Sequence, residues 1–289
     1  MIRNFTLRRR LWTRVYGALT PVDWPAALAT RLSPTFDVAV EEHELSAHAP
    51  LGDTSSLKIG FVSDLHAGPA TPWPVLEKGL SMLAARAPDV ILLGGDYVDH
   101  DLRSMPRLAQ MLGALRPPLG VHAVLGNHDH WADAPGIVRH LEGAGVRMLT
   151  NRRERLPAPW QQVDLCGIDD FTSGHPDANA AFAGAGENRV LLMHAPSSLL
   201  DVGDRSFTVA ICGHTHGGQV SLNGWPVIVS HGPLSRRYNA GRFALGGGRA
   251  LLVSRGLGFT VLPIRLHAPS SILLCRLTHS GVAAPAERG

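Results

Sequence analysis

From residue 57 onward, short runs of apolar positions recur, each closed by glycine or by a side chain able to do chemistry. Leu57-Lys58-Ile59-Gly60-Phe61-Val62-Ser63 starts by alternating and then turns wholly apolar, as a strand entering a core does. It stops at Asp64-Leu65-His66. Val90-Ile91-Leu92-Leu93 reads as a buried strand running into Gly94-Gly95-Asp96-Tyr97-Val98-Asp99. Val121-His122-Ala123-Val124-Leu125 leads to Gly126-Asn127-His128-Asp129. Between these runs, Leu76, Leu80 and Leu83 keep helical spacing up to Pro88. A second helix is predicted over about 102–115, disturbed by Pro106, and a short one over about 134–143 before the strand-like Val146-Arg147-Met148-Leu149. Strand–helix alternation of this kind predicts a largely parallel sheet layered with helices.

Beyond residue 160 the texture changes to strands joined by short turns, predicted over 163–168, 189–193, 208–212, 226–230, 250–254 and 271–276. Glycine and proline punctuate this half heavily, which suggests a second sheet packed on the first. Residues 31–56 are mixed and polar, and read as a linker or an edge strand. Before them, Leu11, Trp12, Val15, Tyr16 and Leu19 share one arc of a helical wheel, with Arg3, Arg10 and Arg14 opposite. A basic amphipathic helix over residues 1–19 suits the surface of an anionic membrane, and equally suits packing on its own domain. Pro21, Asp23 and Pro25 interrupt any secretory h-region, and no run approaches the ~18 apolar residues of a membrane span. The expected location is the cytoplasm, with peripheral attachment to the inner face of the cell membrane as the alternative.

Composition narrows this picture only slightly. The 289 residues are 45% hydrophobic and 18% charged, ordinary for a globular enzyme with a sizeable core. A net charge of +3, without a long basic and aromatic stretch, argues against nucleic acid as partner. Cys166, Cys212 and Cys275 each lie in an apolar run without CxxC spacing, so buried free thiols are expected rather than disulfides or a thiolate metal site.

The chemistry gathers at strand ends, where functional groups of α/β sheets collect. Those ends carry Asp64, His66, Asp96, Asn127, His128, His194 (after Val190-Leu191-Leu192-Met193) and, in Gly213-His214-Thr215-His216-Gly217-Gly218, two imidazoles one residue apart. Each has an ordinary alternative: Asp64 a helix cap, Asp96 and Asp99 turn residues, Asn127 a left-handed turn position, His194 a core histidine. Their fall at successive strand ends carries more weight than any one of them. Carboxylates, a carboxamide and imidazoles without thiolate suit Mn²⁺, Fe or Zn²⁺ rather than Ca²⁺. The donors are too many for one ion, and a carboxylate shared by two divalent cations is the economical arrangement.

In order, Asp-x-His, Gly-Asp-x-x-Asp, Gly-Asn-His-Asp, a lone His and Gly-His-x-His resemble the full signature of the calcineurin-like metallophosphoesterases, over roughly residues 57 to 276. Gly213-His-Thr-His-Gly-Gly-Gln219 and Ser254-Arg-Gly-Leu-Gly258 resemble more narrowly the bacterial YaeI/YkuE-like phosphodiesterase branch. The resemblance implies an α/β fold of two mixed β-sheets packed face to face and flanked by helices, with an N-terminal segment and linker over 1–56 and the phosphoesterase domain over 57–280. It implies one metal on Asp64, His66, Asp96 and His216, and a second on Asp96, Asn127, His194 and His214. It implies a catalytic His128 that meets the phosphoryl oxygen or protonates the leaving group, with Asp129 orienting that ring and Asp99 outside the ligand set.

The expected reaction is metal-dependent hydrolysis of a phosphodiester or pyrophosphate, by a hydroxide held between the cations and attacking phosphorus in line. The basic, aromatic N-terminus makes a lipid-linked substrate one option, and a UDP-2,3-diacylglucosamine-type pyrophosphatase of lipid A synthesis is the alternative within hydrolases. A non-catalytic binding module on the same fold is the alternative of another class, opposed by the completeness of the ligand set. His130, directly after the Asn-His-Asp block, and the pair Arg236-Arg237 are secondary candidates for substrate contacts. A solvated loop accounts for the arginines as well.

Overall fold

The computed structural model describes residues 24–32, 37–222, 225, 226, 232–260 and 263–279; the basic segment over 1–19 lies outside them. In chain order the strands are β1 (Val38–Ser46), β2 (Ser56–Val62), β3 (Val90–Leu93), β4 (Val121–Ala123), β5 (Arg147–Met148), β6 (Arg152–Arg155), β7 (Val163–Gly167), β8 (Asn188–Leu192), β9 (Val209–Cys212), β10 (Ser221–Leu222), β11 (Trp225–Pro226), β12 (Gly241–Gly246), β13 (Arg249–Val253) and β14 (Ser270–Thr278). One sheet runs β1-β14-β2-β3-β4-β5 and the other β12-β13-β9-β8-β7-β6. Both are mixed. In the first, only the β14–β2 pairing is antiparallel; in the second, β7, β8, β9 and β13 are parallel, with antiparallel β6 and β12 at the edges.

The continuous apolar runs are explained by burial on both faces of each sheet. In β3, Val90 and Leu92 join Ile59 and Phe61 of β2 against Val190, Leu192, Val209 and Ile211 of the facing sheet. Ile91 and Leu93 point the other way, into a layer with Val75, Leu76, Leu80, Leu83, Leu108 and Leu112. On the far side of the second sheet, Leu191, Ala210, Cys212, Leu251 and Val253 pack with Ala178, Val202 and Phe207. Period-two alternation thus sorts each strand into an inter-sheet core and a helix-facing core. The result is the expected sandwich of two mixed sheets between helices.

Several local expectations are refined. The stretch read as linker or edge strand holds β1, an edge strand lying parallel along β14 from Val38↔Ser270 to Ser46↔Thr278. Pro106 does not disturb a helix but starts one: it sits in the first turn of Met105–Gly113, where its missing N–H costs nothing. Strand β6, Arg-Arg-Glu-Arg, has no apolar pattern of its own and is held by pairing with β7. Of the strand predicted over 226–230, residues 227–230 lie outside the described residues. All three cysteines are free and buried. None of the described helices is long and apolar enough to cross a membrane.

Candidate metal centre

The parallel strands of both sheets end on the same side, and the loops leaving them meet there. β2, β3 and β4 deliver Asp64, His66, Asp96 and Asn127, while β8 and β9 deliver His194, His214 and His216. All seven are at least 94% buried, the least so His216 at 6% exposure. Five of them sit at positive φ: Asp64 (51°), His66 (40°), Asp96 (55°), His214 (71°) and His216 (54°). Such conformations cost about 1–3 kcal/mol each and persist only where the surroundings over-determine them.

Those surroundings are visible. Asp64 N–H donates to Gly95 O (2.9 Å) and His66 N–H to Asp96 O (3.0 Å), which stitches the β2 loop to the β3 loop. From the other side, Leu257 N–H donates to Ser63 O (3.1 Å) and Gly258 N–H to Asp64 O (2.7 Å). A Cβ on Gly256 would press on the Asp64 side chain, and one on Gly258 on the Leu65 carbonyl. Gly258 is therefore required by close backbone approach and Gly256 by its positive φ (67°) against the Asp64 side chain, and this turn braces the Asp64–His66 loop.

Two groups of ligand-type atoms form. His66 Nε2 faces His216 Nε2 at 3.1 Å, with Asp64 Oδ1 3.6 Å from His216 Nε2. His194 Nε2 lies 3.1 Å from both Asn127 Oδ1 and His214 Nδ1. Asp96 stands between, its Oδ2 3.5 Å from His66 Nε2 and 3.3 Å from His194 Nε2. Nδ1 of His194 donates to the Gly94 carbonyl (2.8 Å), so in the neutral ring Nε2 keeps its lone pair toward the cluster. Desolvation by burial holds the pKa values of His66 and His216 well below the usual imidazole range, which leaves both rings neutral at pH 7. Burial pushes Asp64 up to about 6. At Asp96 burial acts in the same direction, but His194, His128 and His66 outweigh it and hold the carboxylate well below its usual range. Opposing burial, Asp96 and Asp64 raise His194.

Buried imidazole nitrogens packed against one another, with carboxylate and carboxamide oxygens between them, are an arrangement that protons alone satisfy poorly and divalent cations satisfy well. By donor type and convergence the residues fit a metal pair.

His128 borders the cluster, its ring centroid 4.6 Å from that of His66 and 4.5 Å from that of Trp131. The expectation that Asp129 orients this ring is not met. The Asp129 carboxylate accepts N–H groups from Asp96, Tyr97 and Gly126, each at 2.8 Å, and fixes the Gly126–Asn127 turn instead. The group beside His128 is Asp99, whose carbonyl accepts from Nδ1 (2.7 Å) and whose Oδ1 lies 3.5 Å away. Burial pushes the Asp99 carboxyl up to about 6. The spacing of Gly-Asp-x-x-Asp put a second carboxylate one loop turn beyond Asp96 but carried no sign that it would face His128.

A further residue escaped sequence reasoning. Arg265 turns inward and donates to the carbonyls of Arg255 (2.8 Å), Gly258 (2.6 Å), Ala268 (3.1 Å) and His216 (3.3 Å), with Nη2 also 3.3 Å from His216 Nδ1. One guanidinium thereby ties the glycine turn behind Asp64 to the loop that carries His216. Its only trace in the sequence is a single charge inside an apolar stretch.

Of the secondary candidates, His130 is committed to an ion pair with Asp169 (2.8 Å), beside the Trp131 Nε1–Ser173 hydrogen bond (2.6 Å). Arg236 and Arg237 are exposed, and Arg237 lies over the Tyr238 ring at 5.2 Å. The structure does not bring either arginine into the cluster.

The chain is 26% identical over 280 residues to the uncharacterized metallophosphoesterase YkuE of Bacillus subtilis, covering 93% of this chain and 97% of that protein. It is 31% identical over 231 residues to the phosphodiesterase YaeI of Escherichia coli, covering 78% and 83%. Among solved structures, the NAD nucleotidase NadN of Haemophilus influenzae matches with a TM-score of 0.45 at 14% identity, over 71% of this chain and 46% of that one, so the chain spans less than half of that nucleotidase. The family profile for calcineurin-like phosphoesterases matches residues 57–249. With that match over most of the chain and a relative above 30% identity, the chain belongs to the calcineurin-like phosphoesterases and is a metallophosphoesterase.

Proposed function

We propose that this chain hydrolyses a phosphodiester or pyrophosphate bond at a pair of divalent cations, Mn, Fe or Zn, held between its two sheets. Asp64, His66, Asp96 and His216 would hold one cation, and Asp96, Asn127, His194 and His214 the other. The observation that carries this reading is the convergence of two buried donor sets on one shared carboxylate, Asp96. When bound, such a pair supplies an activated water and neutralises charge on the phosphoryl oxygens.

The chain's own groups do the rest. His128 N–H donates to Asp96 Oδ1 (2.8 Å), which fixes the bridging carboxylate against the turn that carries the catalytic ring. With Nδ1 tied to the Asp99 carbonyl, Nε2 is the nitrogen left to exchange a proton with a leaving oxygen. The Asp99 carboxylate lies beside it, Oδ1 3.5 Å from Nδ1, and helps to hold the ring in place. His128, with its side chain 15% exposed, is open enough to meet a substrate.

The phosphodiesterase name of the relative YaeI supports a diester over a pyrophosphate. A lipid-linked ester, reached from the cytoplasmic face with the basic segment 1–19 at the membrane, is the finer form of this reading. It is supported by the arginine pattern of that segment and by three reduced, buried thiols.

The test is metal analysis together with hydrolysis of bis(p-nitrophenyl) phosphate in the presence of Mn²⁺, Zn²⁺ and Fe²⁺ in turn. The wild type is expected to retain about two ions per chain and turn over. Asp96→Asn is expected to lose both ions and turnover. Full activity in a metal-depleted Asp96→Asn chain would remove the proposal.

A further inference from the structure

Among the described residues, the large apolar side chains left most exposed are Trp24 (50%), Leu28 (47%), Leu200 (54%), Ile264 (53%) and Leu266 (46%). Isolated cases need no explanation, but a cluster does. Four of these five belong to two segments, and both segments are braced on loops of the metal centre.

Trp24 and Leu28 are four apart in the helix Trp24–Leu32, so they share one face. The opposite side of that helix is anchored where Ala26 N–H donates to Pro69 O (3.0 Å), three residues beyond His66. Pro25 and Ala26 are buried there. Ile264 and Leu266 flank Arg265. Because Arg265 turns inward onto the carbonyls around His216, period-two alternation turns its neighbours outward. The two segments are joined: Thr71 Oγ1 accepts from Phe259 N–H (2.9 Å), linking the loop after His66 to the stretch that leads to Ile264. Both exposed apolar pairs are therefore tied to the loops that carry His66 and His216, one through Pro69 and the other through Arg265.

The chain that precedes this block indicates its occupant. Twenty-three residues enter directly at Trp24, and they carry Arg3, Arg8, Arg9, Arg10 and Arg14 against one acidic residue, Asp23. Among those arginines lie Leu11, Trp12, Val15 and Tyr16. A partner that accepts several positive charges and apolar side chains together, without a fixed pocket, has the chemistry of an anionic bilayer.

We propose that Trp24, Leu28, Ile264 and Leu266 form a lipid-docking face that sets the metal centre against an anionic membrane, so that its substrates are phosphoesters in lipid headgroups. The choice of substrate rests on the phosphoesterase reading above; the docking face does not. Helix and loop both enter the headgroup region, and phosphoesters approach from the membrane side rather than from bulk water.

The experiment is flotation of the full-length, Mn²⁺-loaded chain with phosphatidylcholine vesicles with and without phosphatidylglycerol. The wild type is compared with Trp24→Ser/Leu28→Ser and with Ile264→Ser/Leu266→Ser. The wild type is expected to float with the anionic vesicles, and each double variant to lose about tenfold in the bound fraction. Hydrolysis of soluble bis(p-nitrophenyl) phosphate stays unchanged in both variants, whereas hydrolysis of a vesicle-embedded phosphoester falls in step with binding. The pairs lie on separate segments, so a folding defect in one, read from its melting curve, leaves the other to decide.

A wild type that stays with bulk solution overturns the docking face. So do double variants that float like the wild type while Arg8, Arg9 and Arg10→Ala alone abolishes flotation. If flotation responds as expected but the wild type fails to hydrolyse the soluble diester, the docking face stands and the phosphoesterase reading falls.

Discussion

The Nε2 atoms of His66 and His216, 150 positions apart in the chain, face each other at 3.1 Å in a buried site. Two neutral imidazoles in that arrangement share at most one proton, and the outer nitrogen of His216 is already met by Arg265. The contact suits the cation proposed above, held by donors from two sheets, and that reading has measurable consequences.

Removal of metal is expected to lower stability. A cation bound only by the folded chain contributes about 2.7 kcal/mol when present at a hundredfold excess over its Kd, roughly 4–5 °C in Tm for a chain of this size. Exhaustive dialysis against a chelator, followed by calorimetry with and without added Mn²⁺, checks this. Identical melting of the two preparations would contradict it.

Metal affinity is expected to rise with pH. In the metal-free chain the His194 pKa is raised well above the ordinary imidazole value: burial lowers it, but Asp96 and Asp64 more than compensate. Near neutral pH a cation at Nε2 must therefore displace a proton. Titration calorimetry in two buffers of different ionisation enthalpy should detect proton release, and apparent Kd should fall from pH 6 toward pH 8. Loss of this release in His194→Ala would assign it.

The carboxylates around His128 should separate by phenotype. His128→Ala is expected to keep its metals and lose about 10²–10⁴ in kcat. Asp99→Asn, which removes the charge beside the ring, should lower kcat with the metals retained and shift the pH profile. Asp129→Asn should instead lower Tm, because it weakens a carboxylate that accepts three backbone N–H groups. An unchanged melting curve for Asp129→Asn, with a pH profile like that of Asp99→Asn, would restore Asp129 to the catalytic role expected from sequence.

Away from the site, Asp164 of β7 is buried and accepts from Arg153 (2.7 Å), Arg155 (3.2 Å) and Gly186 N–H (2.7 Å). Burial raises its pKa, but the arginines and the Gly186 amide outweigh it and hold the carboxyl below its usual value. A depressed folded-state pKa gives stability that is present above the unfolded value of about 3.9 and is lost as pH falls through the lower folded value. Asp164→Asn should cost about 2 kcal/mol at pH 7, less than a sealed ion pair because Arg153 and Arg155 keep contact with water. Urea unfolding at pH 7 and below pH 4 tests this: the difference between wild type and Asp164→Asn should shrink at the lower pH.

The strand-end residues could be read from the chain because two-sided burial makes β2, β3, β8 and β9 continuous apolar runs that stop where the chemistry begins. Strands held mainly by their neighbours were harder to read. β6, Arg-Arg-Glu-Arg, is defined by its pairing with β7, and β1 by a partner strand more than two hundred residues away. Site details set by tertiary proximity were likewise hidden. Nothing local distinguishes Asp129 from Asp99 as the neighbour of His128, since that depends on which way each loop turns. Arg265 matters only because the fold brings carbonyls from several loops around it.

The donors are divided between the two halves of the chain: the first sheet brings Asp64, His66, Asp96 and Asn127, the second His194, His214 and His216. A nascent chain that has completed β2 to β4 therefore owns only part of either proposed donor set. On the proposed reading, both donor sets are complete only once the second sheet has docked on the first, so loading with metal would follow assembly of the sandwich.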